Sequence, residues 1–133
     1  MINKFLFFLL ACAGLLVSSC RKEPGVGGDA SIQGRVWVRH YNSTFTTFIG
    51  EYPGDDQYVY IIYGEHPGYD ARLKTSYDGT FRFQYLNPGK YQLYVYSLDS
   101  TLTSLNNTVP VIRDVEISSR KQEVDLGDIV IYK

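Results

Sequence analysis

Few side chains in this 133-residue sequence are of types that carry covalent or acid–base chemistry, and their spacing limits what they can do. There are two cysteines, Cys12 and Cys20, and two histidines, His40 and His66. The histidines fall in separate segments with no neighbouring cysteine, so no metal-ligand spacing is present. The acidic pairs Asp55-Asp56 and Asp70/Asp78 offer carboxylates for loose Ca²⁺ binding. They lack a loop of regularly spaced ligands, and turn chemistry is the better reading of both. No Gly-x-Ser-x-Gly and no phosphate loop occurs. No catalytic, cofactor or metal residue is therefore assigned.

What remains is recognition by rings. Twelve Tyr, seven Phe and one Trp make up 15% of the chain. A long segment, Asn42–Asp56, carries Phe45, Phe48 and Tyr52, with Tyr41 at its root, and a turn begins at Tyr77. A second candidate is a strand face holding Trp37, Tyr94 and Tyr96 among Arg35, Arg39 and Gln92. The candidate ligand-binding set is Trp37, Tyr41, Phe45, Phe48, Tyr52 and Tyr77. Such rings stack on sugar faces or anchor a partner surface. The alternative is that they cap the core, or stabilise a sheet as cross-strand pairs.

The elements that must position these rings are strands. Apolar residues are 44% and charged residues 20%, the composition of a folded domain. A net charge of −1 argues against a nucleic-acid partner. From Ser31 onward hydrophobicity alternates with a period of two. Seven strands are expected, over about 31–41, 57–63, 72–76, 80–86, 91–97, 109–117 and 123–132. Phe81, Phe83 and Tyr85 should point inward on the fourth. Tyr91, Leu93 and Val95 should do so on the fifth, with Tyr94 and Tyr96 outward. The second strand is apolar on both faces and should be central. Asp78-Gly79 predicts a type I′ hairpin, and Asn87-Pro88-Gly89-Lys90 a type II turn. The fold class is all-β, a seven-stranded antiparallel β-sandwich.

The first twenty residues read as an address. Lys4 precedes the apolar run Phe5–Val17, which is too short to span a membrane and has the length of a signal-peptide core. It ends in Val17-Ser18-Ser19-Cys20, which resembles the bacterial lipobox. That resemblance implies cleavage before Cys20 and acylation of the new N-terminal cysteine. No thiol would then remain for a disulfide, and the fold must rest on its core. Residues 1–19 are read as signal peptide, 20–30 as lipidated N-terminus and Gly-rich flexible tether, and 31–133 as the sandwich. Two or more acyl chains anchor durably. Arg21, in place of the Asp that marks inner-membrane retention, points to the outer membrane of a gram-negative cell, with the leaflet open.

The stretch from Lys74 to Phe83, with its Thr75 and Asp78-Gly79, followed by Leu86-Asn87-Pro88-Gly89-Lys90-Tyr91, resembles the carboxypeptidase-regulatory-like domains. That resemblance implies a transthyretin or prealbumin type of sandwich and no single activity. Related enzymes do not fit. Hydroxyisourate hydrolases end in Tyr-Arg-Gly-Ser, whereas this chain ends in Ile129-Val130-Ile131-Tyr132-Lys133. Intradiol dioxygenases need two Tyr and two His around iron. Isopeptide-forming pilin domains need a Lys on an early strand and an Asn on the last, where this chain has Arg35, Arg39, Asp125 and Asp128.

If strands alternate in direction, segments 64–71, 87–90 and 118–121 share an end with the N-terminus. Segments 42–56, 77–80 and 98–108 lie at the far end, away from a membrane anchor. The expected function is a non-catalytic, lipid-anchored envelope module that binds an envelope protein or a glycan through far-end loops. The alternatives are a purely structural spacer and, last, a carbohydrate-processing or metal-dependent enzyme. No cofactor is expected.

Overall fold

The structure is a computed structural model that describes residues 23–133. The signal-peptide and Cys20 readings lie outside the described residues. Eight strands form: β1 (Val26–Tyr41), β2 (Phe48–Pro53), β3 (Tyr58–Tyr63), β4 (Ala71–Lys74), β5 (Thr80–Leu86), β6 (Gly89–Leu98), β7 (Thr108–Ile117) and β8 (Glu123–Tyr132). They make two four-stranded sheets that face each other across one core. Sheet A holds β8, β1 and, end to end along the other edge of β1, β5 and β2. Sheet B has the order β4-β3-β6-β7, antiparallel throughout.

The period-two residues fill the space between the sheets. Ile32, Val36, Val38, Val59, Ile61, Leu93, Val95, Ile129 and Ile131 are almost wholly buried, and Phe81 and Phe83 close the core on β5. Each fully buried aliphatic or aromatic side chain stabilises by about 1.5–3 kcal/mol against exposure.

The fold departs from the expected seven antiparallel strands in two ways. The extra strand is β2, inside a segment expected to be loop. Its side chains are mostly exposed, and Gly50 and Pro53 interrupt it, so no inward-facing apolar alternation marks it. It forms because Asn42 closes the preceding turn. The Asn42 carboxamide oxygen accepts from the Thr46 and Thr47 amides at 2.9 and 3.0 Å. The second departure is that β8 runs parallel to β1. The β7–β8 connection lies at the end where the chain enters, so the last strand crosses to sheet A in the same direction as the first. Segments 64–71, 87–90 and 118–121 lie at the entry end as expected, but the far-end grouping is corrected: 42–56 contains β2, and the 77–80 turn sits beside Val36, halfway along β1, because β5 and β2 share one edge of that strand.

Local expectations are also corrected. Strand β1 begins at Val26, within the expected 20–30 tether, because Val26 and Ala30 pair with Leu86. Tyr85 is 68% exposed rather than inward, since its φ of 60° turns the strand and delivers Leu86 to the core. Asp78-Gly79 makes a tight turn, but only Gly79 has positive φ (80°), and the turn joins strands of different sheets. A Cβ at Gly79 would meet the Val36 carbonyl at 2.4 Å. There Gly79 accepts from the Val36 amide, and Val36 in turn accepts from Gly54, which continues the edge of β1 between β5 and β2. Asn87–Lys90 is likewise a crossover from sheet A to sheet B, with Gly89 at φ 149° against Pro24.

Candidate functional site

Two tripeptides of identical sequence, Tyr58-Val59-Tyr60 and Tyr94-Val95-Tyr96, lie on adjacent strands of sheet B. The valines enter the core and the tyrosines take the outer face. The β pairing sets one full row across the sheet: Arg72 on β4, Tyr60 on β3, Tyr94 on β6 and Ile112 on β7. Beside it, Tyr58 pairs with Lys74 and Tyr96 with Pro110. Strands about 4.8 Å apart make this face roughly 14 Å wide.

The rings touch one another. Tyr60 and Tyr94 stack with centroids 4.9 Å apart and planes 5° from parallel. Tyr96 meets both edge-on at 5.7 and 5.6 Å. Tyr69, from the β3–β4 loop, meets Tyr60 at 5.0 Å. Tyr58 adjoins Tyr60 at 6.1 Å. Burial by these neighbours pushes the Tyr94 phenol above its ordinary pKa, with Tyr96 and Tyr60 adding to the effect, so it stays a neutral hydrogen-bonding group. The cluster is nonetheless open: Tyr69, Tyr96 and Ile112 are each about half exposed.

Polar groups continue the face toward the entry end. Gln92 donates to Asp114 at 2.8 Å in the next row. Beyond them a groove of about 700 Å³ opens between the β3–β4 loop and strands β6 and β7, lined by Glu65, His66, Lys90 and Glu116 among others. His66 Nδ1 lies 2.7 Å from Asp70, whose other carboxylate oxygen accepts from the Tyr63 amide. These two bonds hold the Asp70 carboxyl below its usual range against an opposing desolvation. His40 is at the opposite end, on β1 beside Tyr52, so the histidines share no site. Among the described residues no three His, Cys, Asp or Glu side chains converge as metal ligands.

The far end carries most of the rings anticipated from sequence. Tyr41 packs on Phe45, Phe48 and Tyr132 at 5.8, 5.4 and 5.8 Å. Phe45 also touches Tyr132 and sits at φ 54°, held by the Asn42 turn. Arg39 lies over Tyr41 and Phe48, and Arg35 over Trp37. Trp37, Tyr41, Phe45 and Phe48 therefore share the outer side of sheet A. Tyr52 does not: it pairs with Val38 and faces His40 on the other side of β2. Tyr77 stands alone in its turn, 89% exposed. The expected patch of Trp37 with Tyr94 and Tyr96 does not exist, because these residues belong to different sheets. Tyr58, Tyr60 and Tyr69 were not among the candidates. The repeated Tyr-Val-Tyr was the signal that could have found two of them.

Comparison with known proteins adds little. No protein-family model matches the sequence, and no curated protein matches it. Among solved structures, the chain is similar to a Pseudomonas aeruginosa protein described as a candidate carbohydrate-binding protein. Their identity is 14% and the TM-score 0.47, over 82% of this chain and 91% of that one. It is also similar to an (S)-allantoin synthase at 13% identity and a TM-score of 0.41. That match covers 80% of this chain but only 43% of the synthase. Similarity at this level says nothing about a site, which is read from its own geometry.

Proposed function

We propose that this chain is a non-catalytic, envelope-anchored module that binds a glycan on the outer face of sheet B. The observation that carries the reading is the tyrosine cluster in which Tyr58, Tyr69 and Tyr96 are exposed around the partly buried Tyr60 and Tyr94, continued by Gln92 and Asp114. Sugars present apolar C–H faces and a rim of hydroxyls. Rings beside phenols, an amide and a carboxylate suit both. Cross-strand stabilisation alone is worth about 0.2–1 kcal/mol per pair and does not require the rings to stay open to water. The lipobox-like Val17-Ser18-Ser19-Cys20 supplies the anchor in this reading, in the outer membrane. The motifs at residues 74–91 support reading the domain as similar to transthyretin-type sandwiches.

A glycan array followed by calorimetry on the best binder tests the proposal. Tyr94→Ala with Tyr96→Ala should weaken binding at least tenfold, since central aromatic anchors carry more than about 1–2 kcal/mol each. Phe48→Ala, on the other sheet, should leave it unchanged. An array without binders, or a binder indifferent to Tyr94 and Tyr96, overturns the reading.

The second reading places recognition at the far end, against an envelope protein. It is favoured by the exposure of Phe48 and Ile49 on β2 and of Leu102 and Leu105 in the β6–β7 loop. There, Tyr41, Phe45 and Tyr132 are engaged with one another as an end cap.

A further inference from the structure

The charges around the tyrosine cluster narrow the kind of glycan. Every other basic side chain in contact with the rings of either outer face has an acidic partner. Arg35 pairs with Asp128 at 2.7 Å, Arg39 lies 3.9 Å from Glu51, and Lys74 pairs with Asp56 at 2.9 Å. Arg82 and Arg120, away from the rings, are likewise bound to Glu123 and Asp29. Arg72 differs. Its guanidinium lies 4.3 Å from the Tyr58 ring centroid, in the row that continues into Tyr60 and Tyr94. Among the described residues no carboxylate lies within ion-pairing distance of it. The only groups that perturb it, apart from its own partial desolvation, are the hydroxyls of Tyr60, Tyr58 and Tyr69. Lys74, also over Tyr58, adds a second cation on the same strand.

A guanidinium laid on a ring is held in place, and with five N–H donors it keeps some for a further acceptor after its contact with the Tyr60 hydroxyl. It suits an oxyanion, which it binds in a two-pronged way that a lysine does not reproduce. A neutral sugar gives it only hydroxyls. From this we infer that the sheet B face selects an acidic glycan, one whose carboxylate or sulfate groups reach Arg72 while the sugar rings lie on Tyr60, Tyr94 and Tyr96. The inference rests on the glycan reading above and specifies its substrate class. The negative groups Asp114 and Glu116 sit at the far side of the face, on β7. They orient the ligand, with its charged edge toward β4.

Paired polysaccharides test this with the full chain. Calorimetry would compare a polyuronate with its methyl-esterified form, and a sulfated galactan with its desulfated form. The expected result is that at least one acidic form binds about tenfold more tightly than its neutral counterpart. Arg72→Gln should abolish that difference while leaving the weaker binding of the neutral form intact. Arg72→Lys should restore part of it, and rising salt should erode it. The polyuronate and galactan arms separate carboxylate from sulfate. If neutral forms bind equally well and depend on Tyr94, the glycan reading stands and the charge inference falls. If Arg72→Gln keeps the preference, the inference is wrong about the residue. If neither acidic nor neutral chains bind, both fall. Circular dichroism of the variants controls for folding, which an exposed edge-strand side chain should not disturb.

Discussion

Removing the Tyr91 hydroxyl tests how the domain holds the segment through which the chain enters. Tyr91 is buried to 1% exposure on β6. Its hydroxyl donates to the Asn87 carbonyl at 2.5 Å and accepts from the Gly25 amide at 2.9 Å, with the Gly25 carbonyl 3.3 Å away. Tyr91→Phe keeps the ring in the core and leaves two buried backbone groups without their partner. An unsatisfied buried group costs about 1–3 kcal/mol. The ring position is near the sheet end, where water relieves part of the loss, so the net cost should be about 2 kcal/mol. Unfolding entropy of about 2.1 cal/mol/K per residue, over about 110 ordered residues, gives about 0.23 kcal/mol/K. The melting temperature should therefore fall by about 9 °C, measured by circular dichroism, and the Gly25 amide should exchange faster with deuterium. The difference should also depend on pH. Burial raises the Tyr91 pKa above 10, and the ring of Tyr63, which packs on it, is raised in the same way. The stabilisation is present in full below the unfolded pKa and is lost as pH rises through the folded one. The gap between wild type and Tyr91→Phe should thus narrow in strong alkali. A melting point within 2 °C of wild type, with Gly25 still protected, would refute the argument.

Two further outcomes follow from the same structure and sequence. Asp99 is the hub of the β6–β7 loop: it accepts from the Thr101 hydroxyl and from the Thr101, Thr103 and Ser104 amides. These bonds, led by the Thr101 hydroxyl, hold its carboxyl well below the usual range. Its stabilising contribution is complete above the unfolded pKa of about 3.9 and is lost as pH falls through the folded value. The protection of the loop amides, measured against their intrinsic exchange rates, should stay flat from about pH 8 to about pH 4, whereas Asp99→Ala should lower the protection of the Thr101, Thr103 and Ser104 amides at about pH 7. Cys20→Ala should shift the protein from membrane to soluble fractions; a variant that still sediments with membranes refutes the anchor.

Much of the core was legible because alternation is a local property. Val36 and Val38, Leu93 and Val95, and Ile129 and Ile131 each face inward, and each alternates with more exposed residues. The errors arose where a contact is not local. Tyr85 breaks the alternation because its backbone adopts positive φ, which no neighbouring residue type announces. Strand β2 forms because Asn42 and the edge of β1 capture a segment with no buried face of its own. The parallel pairing of β1 and β8 joins residues more than ninety positions apart, as at Arg35 and Asp128. The site was missed for a related reason. Tyr58–Tyr63 is apolar throughout, a pattern that predicts a strand covered on both faces. Its tyrosine side faces solvent, and only the pairing of Tyr60 with Tyr94 turns two separate strands into one cluster.

The two outer faces of the sandwich make the strongest argument that sheet B does more than hold the fold. Both are built by the same rule, outward residues of alternating strands, and both carry rings and arginines. On sheet A the charges answer one another: Arg35 with Asp128, Arg39 near Glu51 and Arg82 with Glu123. Its largest ring cluster is turned into a cap by the Asn42 turn and Tyr132. A face that had only to stay soluble and stable would be expected to look like this, because exposed ion pairs cost little and leave no charge seeking a partner. Sheet B leaves Tyr58, Tyr69 and Tyr96 exposed around Tyr60 and Tyr94, and the row through that central pair runs from Ile112 to an arginine with no acidic partner among the described residues. Stability explains the stacking of Tyr60 on Tyr94; it does not explain why the row stays uncovered or why Arg72 is left unneutralised. A ligand with apolar ring faces and a negative edge explains both at once.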